Sequence, residues 1–397
     1  MRVLVIVGTR PEAIKMAPVV KELRRRPGVE SWLCSTGQHR EMLEPIWRLF
    51  DLKVDVELNL MTPNQGLSAL ASRLFSAIDE TVAGIKPDWI LAQGDTTSVM
   101  VAAMVAFYRR VKFGHVEAGL RSHDRCNPFP EEINRRIADL VADLYFCPTE
   151  LAQQNLIAEG VAADKAPVTG NTVVDALLEV SRMPFDWEAS PLKNVLLYPK
   201  LVLVTAHRRE SFGEPLRQVF LGIRDLAEQF RDEGLGIVYP VHPNPNVKEA
   251  AHEILSGVPN VILTEPLSYD SLVHLMKRCL FVLTDSGGIQ EEAPSLQVPV
   301  LVMRETTERP EGLNVGAVKL VGTDRNRILI ESSRLITDPA ARAAMIIEES
   351  PYGDGLAAKR IVSTIFPLSP TKPRLTGAST PLSRPIQVAD GDLHKQP

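Results

Sequence analysis

Short apolar runs alternate with longer stretches of helical hydrophobic spacing along the first half of the chain. The short runs are almost continuously apolar, as strands are when both faces of a parallel sheet are buried. The pattern predicts strands at 3–7, 32–35, 89–92 and 112–116, and helices at about 11–26, 65–85 and up to 108. Strands that alternate with helices in this way indicate a doubly wound α/β domain.

A second series of the same kind follows residues 183–199, where several prolines interrupt the periodic pattern. It predicts strands at 201–205, 236–239, 261–263, 280–284 and 300–303. A chain of 397 residues is long enough for two domains of ordinary size. We therefore predict two α/β domains, residues 1–182 and 200–354, joined by a linker at 183–199.

The end of the chain has a different composition. Residues 367–397 contain six prolines and no aromatic residue. Such a segment cannot bury enough apolar surface to offset the entropy lost on ordering. We predict a disordered tail, with a peptide-docking segment as the alternative.

Composition and charge exclude several classes of partner. A net charge of −5 gives no broad attraction to nucleic acid. The first apolar run is too short to span a membrane and has no cleavage site, so no membrane partner is predicted. The four cysteines are scattered, which fits a reducing cytoplasm, and neither they nor the histidines have the spacing of metal ligands. We predict a cytoplasmic protein without a metal.

The turn after the first predicted strand, residues 8–15, reads GTRPEAIK. Ligands of open α/β sheets bind at the carboxyl ends of strands, beside helix N-termini that favour phosphate. Arg10 and Lys15 are therefore candidates to face an anionic ligand; the alternative is a pair of surface cations beside Glu12. The turn lacks the spaced glycines that hold a dinucleotide, so no nicotinamide cofactor is predicted.

Carboxylates follow two further predicted strands. Asp95 lies in the segment AQGDTTS at 92–98, and Glu117 lies in GHVEAGLR at 114–121. Two carboxylates at one sheet edge indicate acid/base chemistry, although Asp95 alone would also serve as a helix cap.

Glu131 opens a predicted helix directly after a proline, near the loop that passes this edge. The alternative is a surface role, because Glu131 and Glu132 precede Arg135 and Arg136 by four residues, a common helix pairing.

The second half contributes basic and glycine-rich turns. His207, with two following arginines, comes after the strand at 201–205, and either holds a diphosphate or lies in a solvated loop. The segment TDSGGIQEEA at 284–293 places glycines where a backbone can approach phosphate closely. Its alternative is a simple tight turn. The candidates from this half are His207, Ser286, Gly287, Gly288, Glu292 as a ribose acceptor, and Arg309.

These motifs, in this order, resemble one family: the non-hydrolysing UDP-N-acetylglucosamine 2-epimerases. The resemblance spans about residues 1–366. It rests on residues 8–15, 94–97, 115–121, 130–135, 207–213, 286–294, 306–310 and 351–355. It implies two Rossmann-like domains facing a cleft, a glycosyltransferase-B-like fold, and a last helix at 355–366 that returns to the first domain.

The resemblance also implies roles for the candidate residues, a homodimer, and no cofactor. It places Asp95, Glu117, Glu131 and His207 in a catalytic pocket, Arg10 and Lys15 beside the sugar diphosphate, and Ser286, Gly287, Gly288, Glu292 and Arg309 in a UDP site. Members of the family also bind UDP-N-acetylglucosamine as an activator, at positions matching Gln38 and His242. Glu41 and Asn64 depart from the Gln and Arg of some bacterial members, which makes a weakened activator site the expectation.

The implied reaction is reversible C2 epimerisation of UDP-N-acetylglucosamine to UDP-N-acetylmannosamine, for surface polysaccharide precursors. Its implied route is elimination of UDP to a 2-acetamidoglucal, followed by readdition. The alternatives are a hydrolysing epimerase, a glycosyltransferase of the same fold, and a sugar-nucleotide binding protein without catalysis.

Overall fold

The computed structural model describes residues 1–37, 40–60 and 65–367. In the first half, six parallel strands form one sheet in the order β3-β2-β1-β4-β5-β6. The strands are β1 (Arg2–Val7), β2 (Glu30–Ser35), β3 (Val56–Glu57), β4 (Trp89–Gln93), β5 (Lys112–Val116) and β6 (Leu144–Phe146). The order in which strands are added reverses between β1 and β4, and doubly wound sheets bind ligands at such a point.

Helices cover both faces of this sheet. They are α1 (Arg10–Arg25), α2 (Arg40–Leu49), α3 (Leu67–Ile85), α4 (Thr97–Arg109), α5 (Glu131–Val141), α6 (Glu150–Ala158) and α7 (Thr172–Val180). The sequence explains where α1 begins: Thr9 and Glu12 form a capping box, and Pro11 occupies the first turn.

The second half repeats the architecture. Its sheet has the order β12-β11-β10-β7-β8-β9, which from the β9 edge is the same winding as in the first sheet. Its strands are β7 (Lys200–Thr205), β8 (Leu235–Pro240), β9 (Val261–Thr264), β10 (Phe281–Thr284), β11 (Val300–Val302) and β12 (Val318–Leu320). The prediction of two doubly wound, Rossmann-like domains is confirmed.

The helices of this half are α8 (Glu214–Gln229), α9 (Pro245–Leu255), α10 (Tyr269–Arg278), α11 (Gly287–Ser295), α12 (Pro310–Asn314), α13 (Arg325–Thr337), α14 (Pro339–Ala343) and α15 (Ala357–Ile365). Three strands, β3, β6 and β12, were not predicted: each has two or three residues and, unlike the equally short β11, is not a wholly apolar run.

The chain crosses between the two halves twice. In the first crossing, residues 183–199, Leu192 and Val195 are buried in the core and Phe185 stacks on His274 with ring centroids 4.7 Å apart. The second crossing follows α14 and leads to α15, which packs against α1 and α7. The domain boundaries themselves stay predictions, and the predicted tail lies, apart from residue 367, outside the described residues.

Within the described ranges, no helix is long and apolar enough to cross a membrane.

Candidate active site

A cavity of about 670 Å³ lies between the two halves, at the carboxyl ends of strands from both sheets. Among the predicted site residues, its lining includes Arg10, Lys15, His207, His242, Ser286, Gly288, Glu292 and Arg309. A cleft lined by both sheets, at their topological switch points, is the arrangement that binds nucleotide ligands.

Glu117 does not line this cavity itself, but it is in direct contact with Lys15, which does. Lys15 Nζ donates to Glu117 Oε1 at 2.6 Å and to Oε2 at 2.9 Å. Burial opposes charge on both groups, but their mutual attraction outweighs it, so the pKa of Lys15 is raised and the pKa of Glu117 is lowered. The pair is therefore ionised at neutral pH.

The backbone of Glu117 is unusual as well. Its φ is +65°, in the left-handed region that non-glycine residues seldom adopt. Its amide donates to Phe146 O at 3.0 Å, which ties the turn after β5 to β6. Gln93 Nε2 and Asn171 Nδ2 also donate to its carboxylate. Backbone strain of this kind, a non-glycine residue with a positive φ, is frequent at active sites.

Asp95 pairs with Arg135 of α5 through the guanidinium, and its carbonyl accepts from Asn134 Nδ2 at 3.0 Å. The residue that caps α4 is Thr96, whose hydroxyl accepts from Val99 N at 3.4 Å. The alternative reading of Asp95 as a helix cap is therefore wrong. The side chain joins the turn after β4 to the start of α5.

Beneath this turn lies His115, which sequence reasoning did not select. Its Nδ1 is 2.6 Å from Asp139 Oδ1 and its Nε2 is 2.7 Å from Gly94 O, and the ring is fully buried. Both neighbours only accept hydrogen bonds, so both ring nitrogens must carry protons. Burial opposes this charge, but the Asp139 carboxylate outweighs it and raises the pKa of His115.

Glu131 begins α5, as predicted, and is half-buried there. Its neighbour Glu132 is fully buried, accepts from Ser122 N at 3.0 Å and lies 3.4 Å from Arg135. Glu132 therefore stabilises the loop before the helix. A catalytic role for Glu131 stays a prediction.

Glu12 occupies the inside of the first turn. Its Oε2 accepts the amides of Gly8 and Thr9, and burial is the main cause that raises its pKa to about 7. These two amides are consequently used within the protein. They are therefore not available to a phosphate near α1, whereas the side chains of Arg10 and Lys15 line the cavity.

His207 follows β7 and is held by Asp285. The amides of His207 and Arg208 donate to Asp285 Oδ2 at 2.6 and 2.8 Å, and His207 Nδ1 lies 3.1 Å from Oδ1. The His207 ring stacks on His242, with centroids 5.2 Å apart. Asp285 was part of the predicted motif but was not selected, since its contact with the turn after β7 appears only in the folded chain.

The glycine-rich turn leads into α11, with Ser286 at the cap position and no side-chain cap bond. A Cβ placed on Gly287 would lie 3.7 Å from the Arg208 guanidinium, so a cation accompanies the helix N-terminus. Amides, helix dipole and arginine together make a site for phosphate.

Two adjacent carboxylates on α11 have different surroundings. Glu291 is buried and paired with Arg309 Nε, whereas Glu292 Oε2 has no hydrogen-bond partner in the described chain. Burial, followed by the neighbouring Glu291 charge, raises the pKa of Glu292 to about 8. Glu291 was the less favoured alternative to Glu292 as the ribose acceptor. Its contacts with Arg309 and with Asn171 of the first half join distant parts of the chain and could not be read from its own motif.

Gln38 lies outside the described residues, as does Asn64. Among the residues that are described, no group of three His, Cys, Asp or Glu side chains is arranged to hold a metal ion.

Fold and cleft together define a two-domain protein of the glycosyltransferase-B-like class. A family model described as UDP-N-acetylglucosamine 2-epimerase matches residues 21–366. The UDP-N-acetylglucosamine 2-epimerase of Escherichia coli K12 is 47% identical over 371 residues, 92% of this chain and 98% of that protein. The chain belongs to the UDP-N-acetylglucosamine 2-epimerase family.

Solved structures agree. The Neisseria meningitidis UDP-GlcNAc 2-epimerase, determined with UDP-GlcNAc bound, superposes with a TM-score of 0.83 at 43% identity, covering 92% of this chain and 99% of that one. The Methanocaldococcus jannaschii enzyme in complex with UDP-GlcNAc and UDP gives 0.77 at 31% identity, with coverage of 92% and 99%.

Proposed function

We propose that this protein interconverts UDP-N-acetylglucosamine and UDP-N-acetylmannosamine by inversion at C2. The observation that carries the proposal is the Lys15–Glu117 ion pair, because Lys15 lines a cavity whose other wall includes Ser286 and Gly288 at the start of α11. Relatives of similar length bear the name of this activity. A sugar nucleotide in the cavity would have its sugar near the first sheet and its nucleotide near the second.

The C2–H bond of the substrate is not adjacent to a carbonyl, so removal of that proton alone would leave an unstabilised carbanion. Loss of UDP solves this problem. As a base takes the C2 proton, its electron pair forms the C1=C2 double bond of a 2-acetamidoglucal and the C1–O bond to UDP breaks. In the return step a proton is added to the opposite face of C2, and a UDP oxygen re-forms the bond to C1. No oxidant or reductant is required.

The carboxylates Asp95, Glu117 and Glu131 are the proposed proton-transfer groups. Glu117 is held ionised by Lys15, the state that a general base needs. His207 is fixed by Asp285 on the nucleotide side, where it is placed to stabilise the departing diphosphate. Replacement of any one of the three carboxylates by its amide is expected to slow turnover about a hundredfold.

Arg10 and Lys15 from α1, with Ser286 and the two glycines of α11, are the proposed diphosphate ligands. Arg309 is held by Glu291 and lines the same cavity. Closure of the two domains over the substrate would exclude water from the glucal. Entry of water would instead release free N-acetylmannosamine and UDP, the hydrolysing alternative.

Incubation with UDP-N-acetylglucosamine in deuterated water tests the proposal. NMR is expected to show UDP-N-acetylmannosamine with deuterium at C2. Free N-acetylmannosamine would indicate the hydrolysing reaction, and transfer to an added acceptor would indicate a glycosyltransferase. Retention of the original hydrogen at C2, or the absence of any turnover, would contradict the proposed reaction.

We propose further that the protein is a cytoplasmic homodimer. Phe107 and Tyr108 of α4 and Leu140 of α5 expose 61, 64 and 81% of their surface, on helices that pack side by side. Apolar side chains exposed in this way fit a protein–protein contact. Size-exclusion chromatography with light scattering measures the mass of the intact chain in solution. A monomeric mass would contradict the dimer.

We propose that the product is used in surface polysaccharide synthesis. We also propose that a second UDP-N-acetylglucosamine molecule binds as an activator beside His242, which stacks on His207. If the activator site is weakened, the rate will rise hyperbolically with substrate concentration. Strong sigmoidality would show an intact activator site.

A further inference from the structure

Asn171 connects the two halves of the cleft. Its Nδ2 donates to Glu117 Oε1 at 3.0 Å and to Glu291 Oε2 at 2.9 Å, while its Oδ1 accepts from Val173 N at 3.0 Å and so caps α7. The residue is buried, with 2% of its surface exposed. An amide group has two N–H donors, and here each donor meets a different carboxylate, one from each sheet.

The network continues beyond Asn171 on both sides. Glu291 is paired with Arg309, and Glu117 is paired with Lys15. Two carboxylates and two cations thus form a buried cluster with no net charge, with a neutral amide between the carboxylates. The cluster runs from the proposed nucleotide side of the cleft to the proposed base.

We infer that Asn171 and Glu291 are positioning residues that fix the Glu117 carboxylate for proton transfer, and that this orientation is complete only when the two domains are together. The inference rests on the proposed function. Glu291 belongs to the second sheet's domain, so separation of the domains removes one partner of the amide. Asn171 then has one N–H without its carboxylate, and its hold on Glu117 loosens.

The choice of a neutral amide has a chemical reason. An aspartate at this position would place a third carboxylate between Glu117 and Glu291. Repulsion among the three would displace Glu117 unless the new group carried a proton. A protonated acid still donates one hydrogen bond, so the defect should be partly relieved at low pH.

Two variants keep the helix cap while changing the bridge, because Ser and Asp cap helices about as well as Asn. Asn171→Ser is too short to reach both carboxylates. It is expected to lower kcat about ten- to a hundredfold, the loss of one hydrogen bond to a charged group, with the Kd for UDP changed by less than about twofold. Asn171→Asp is expected to show a kcat, relative to wild type, that rises as the pH falls from 8 to 5.5.

Glu311→Ala is the matched control. Thr149 Oγ1 donates to Glu311 Oε1 at 2.9 Å, a bond that also joins the two halves but does not touch Glu117. Its loss is expected to leave kcat within about twofold of wild type.

An inactive wild-type chain would overturn the proposed function, and the inference with it. An active wild type in which Asn171→Ser behaves like Glu311→Ala, or in which the Asn171→Asp ratio does not change with pH, would overturn the positioning role alone.

Discussion

At the scale of single residues, neighbouring groups shift the pKa values of two buried carboxylates in opposite directions. Lys15 keeps Glu117 ionised, whereas Glu292 lies beside Glu291 and its pKa is raised to about 8. Separation of this kind gives one site an ionised group and a protonated group at the same pH. The environment, and not the residue type, decides which is which.

Glu292 should therefore make nucleotide binding pH-dependent. A carboxylate accepts hydrogen bonds from ribose hydroxyls better than a protonated acid does, and the free site is mostly protonated below pH 8. The affinity for UDP is expected to increase several-fold between pH 7 and 9, and binding is expected to release a proton from Glu292. Titration calorimetry measures the affinity, and its repetition in two buffers of different ionisation enthalpy measures the proton release.

Glu292→Gln is the control for this prediction, since it has no proton to release. A wild-type affinity that is flat over this range, or the same pH dependence in both proteins, would show that Glu292 does not contact the ligand.

His115 should be an imidazolium in the folded protein, because both of its ring nitrogens face acceptors. Its folded pKa is raised, so its contribution to stability is fully present below the unfolded pKa of about 6.5 and is lost as the pH rises through the folded pKa. The difference in unfolding free energy between wild type and His115→Gln is expected to be larger at pH 6 than at pH 9, by urea denaturation. Nitrogen NMR shifts of a neutral ring at pH 6 would contradict the assignment.

At the scale of elements, the turn after β5 carries a proposed site residue and is closely packed. Gly119 follows Glu117 by two residues, has φ +86°, and lies against the backbone of α6. A Cβ there would be 2.2 Å from Ala152 O. The position of the turn that carries Glu117 therefore depends on how closely α6 approaches it.

Gly119→Ala is expected to lower the free energy of unfolding by several kcal/mol, because it adds a backbone clash to the cost of a positive φ. Gly160→Ala is the matched control: its φ is +96°, but nothing lies within 4 Å of the added Cβ. That variant should lose only about 1–2 kcal/mol. Equal losses in chemical denaturation would mean that α6 moves away at little cost.

The sequence was sufficient for the placement of Asp95 and Glu117, because neighbouring parallel strands bring their carboxyl ends to one edge. It was not sufficient for His115 with Asp139, or for Asn171 with Glu291. Asn171 and Glu291 are 120 residues apart, and the contact of His115 with Asp139 depends on how α5 packs on β5. Each member alone looks like an ordinary polar residue. The short strands β3, β6 and β12 were missed for a related reason, since their position is set by the sheet they join.

At the scale of the whole molecule, the last helix ties the two ends of the fold together. Ile361, Val362 and Ile365 of α15 are buried, and the helix packs on α1 and α7. Residues beyond 367 have the composition of a tail. We therefore expect the fold to need α15 and not to need the residues beyond 367.

A chain that ends after residue 367 is therefore expected to keep its melting temperature and to retain turnover within about twofold. A chain that ends after residue 355 loses α15, uncovers apolar surface on α1 and α7, and should be insoluble or melt many degrees lower. Thermal melts and rates of both truncated proteins measure this. A large loss of activity in the longer one would show that the tail docks.

The two crossings of the chain also have a mechanical consequence. Ser181, just before the first crossing, and Ser350 and Gly353, in the second, line one cavity. A Cβ placed on Gly355 would lie 2.8 Å from Leu178 of α7, so the two connections lie close together. A body attached to another at two nearby points turns about the line through them and resists both sliding and twisting. The domains are therefore expected to open by a hinge rotation about the axis through the two connections. The edge of the cleft farthest from the crossings moves most. Each closure brings the two walls of the cleft back to the same relative position.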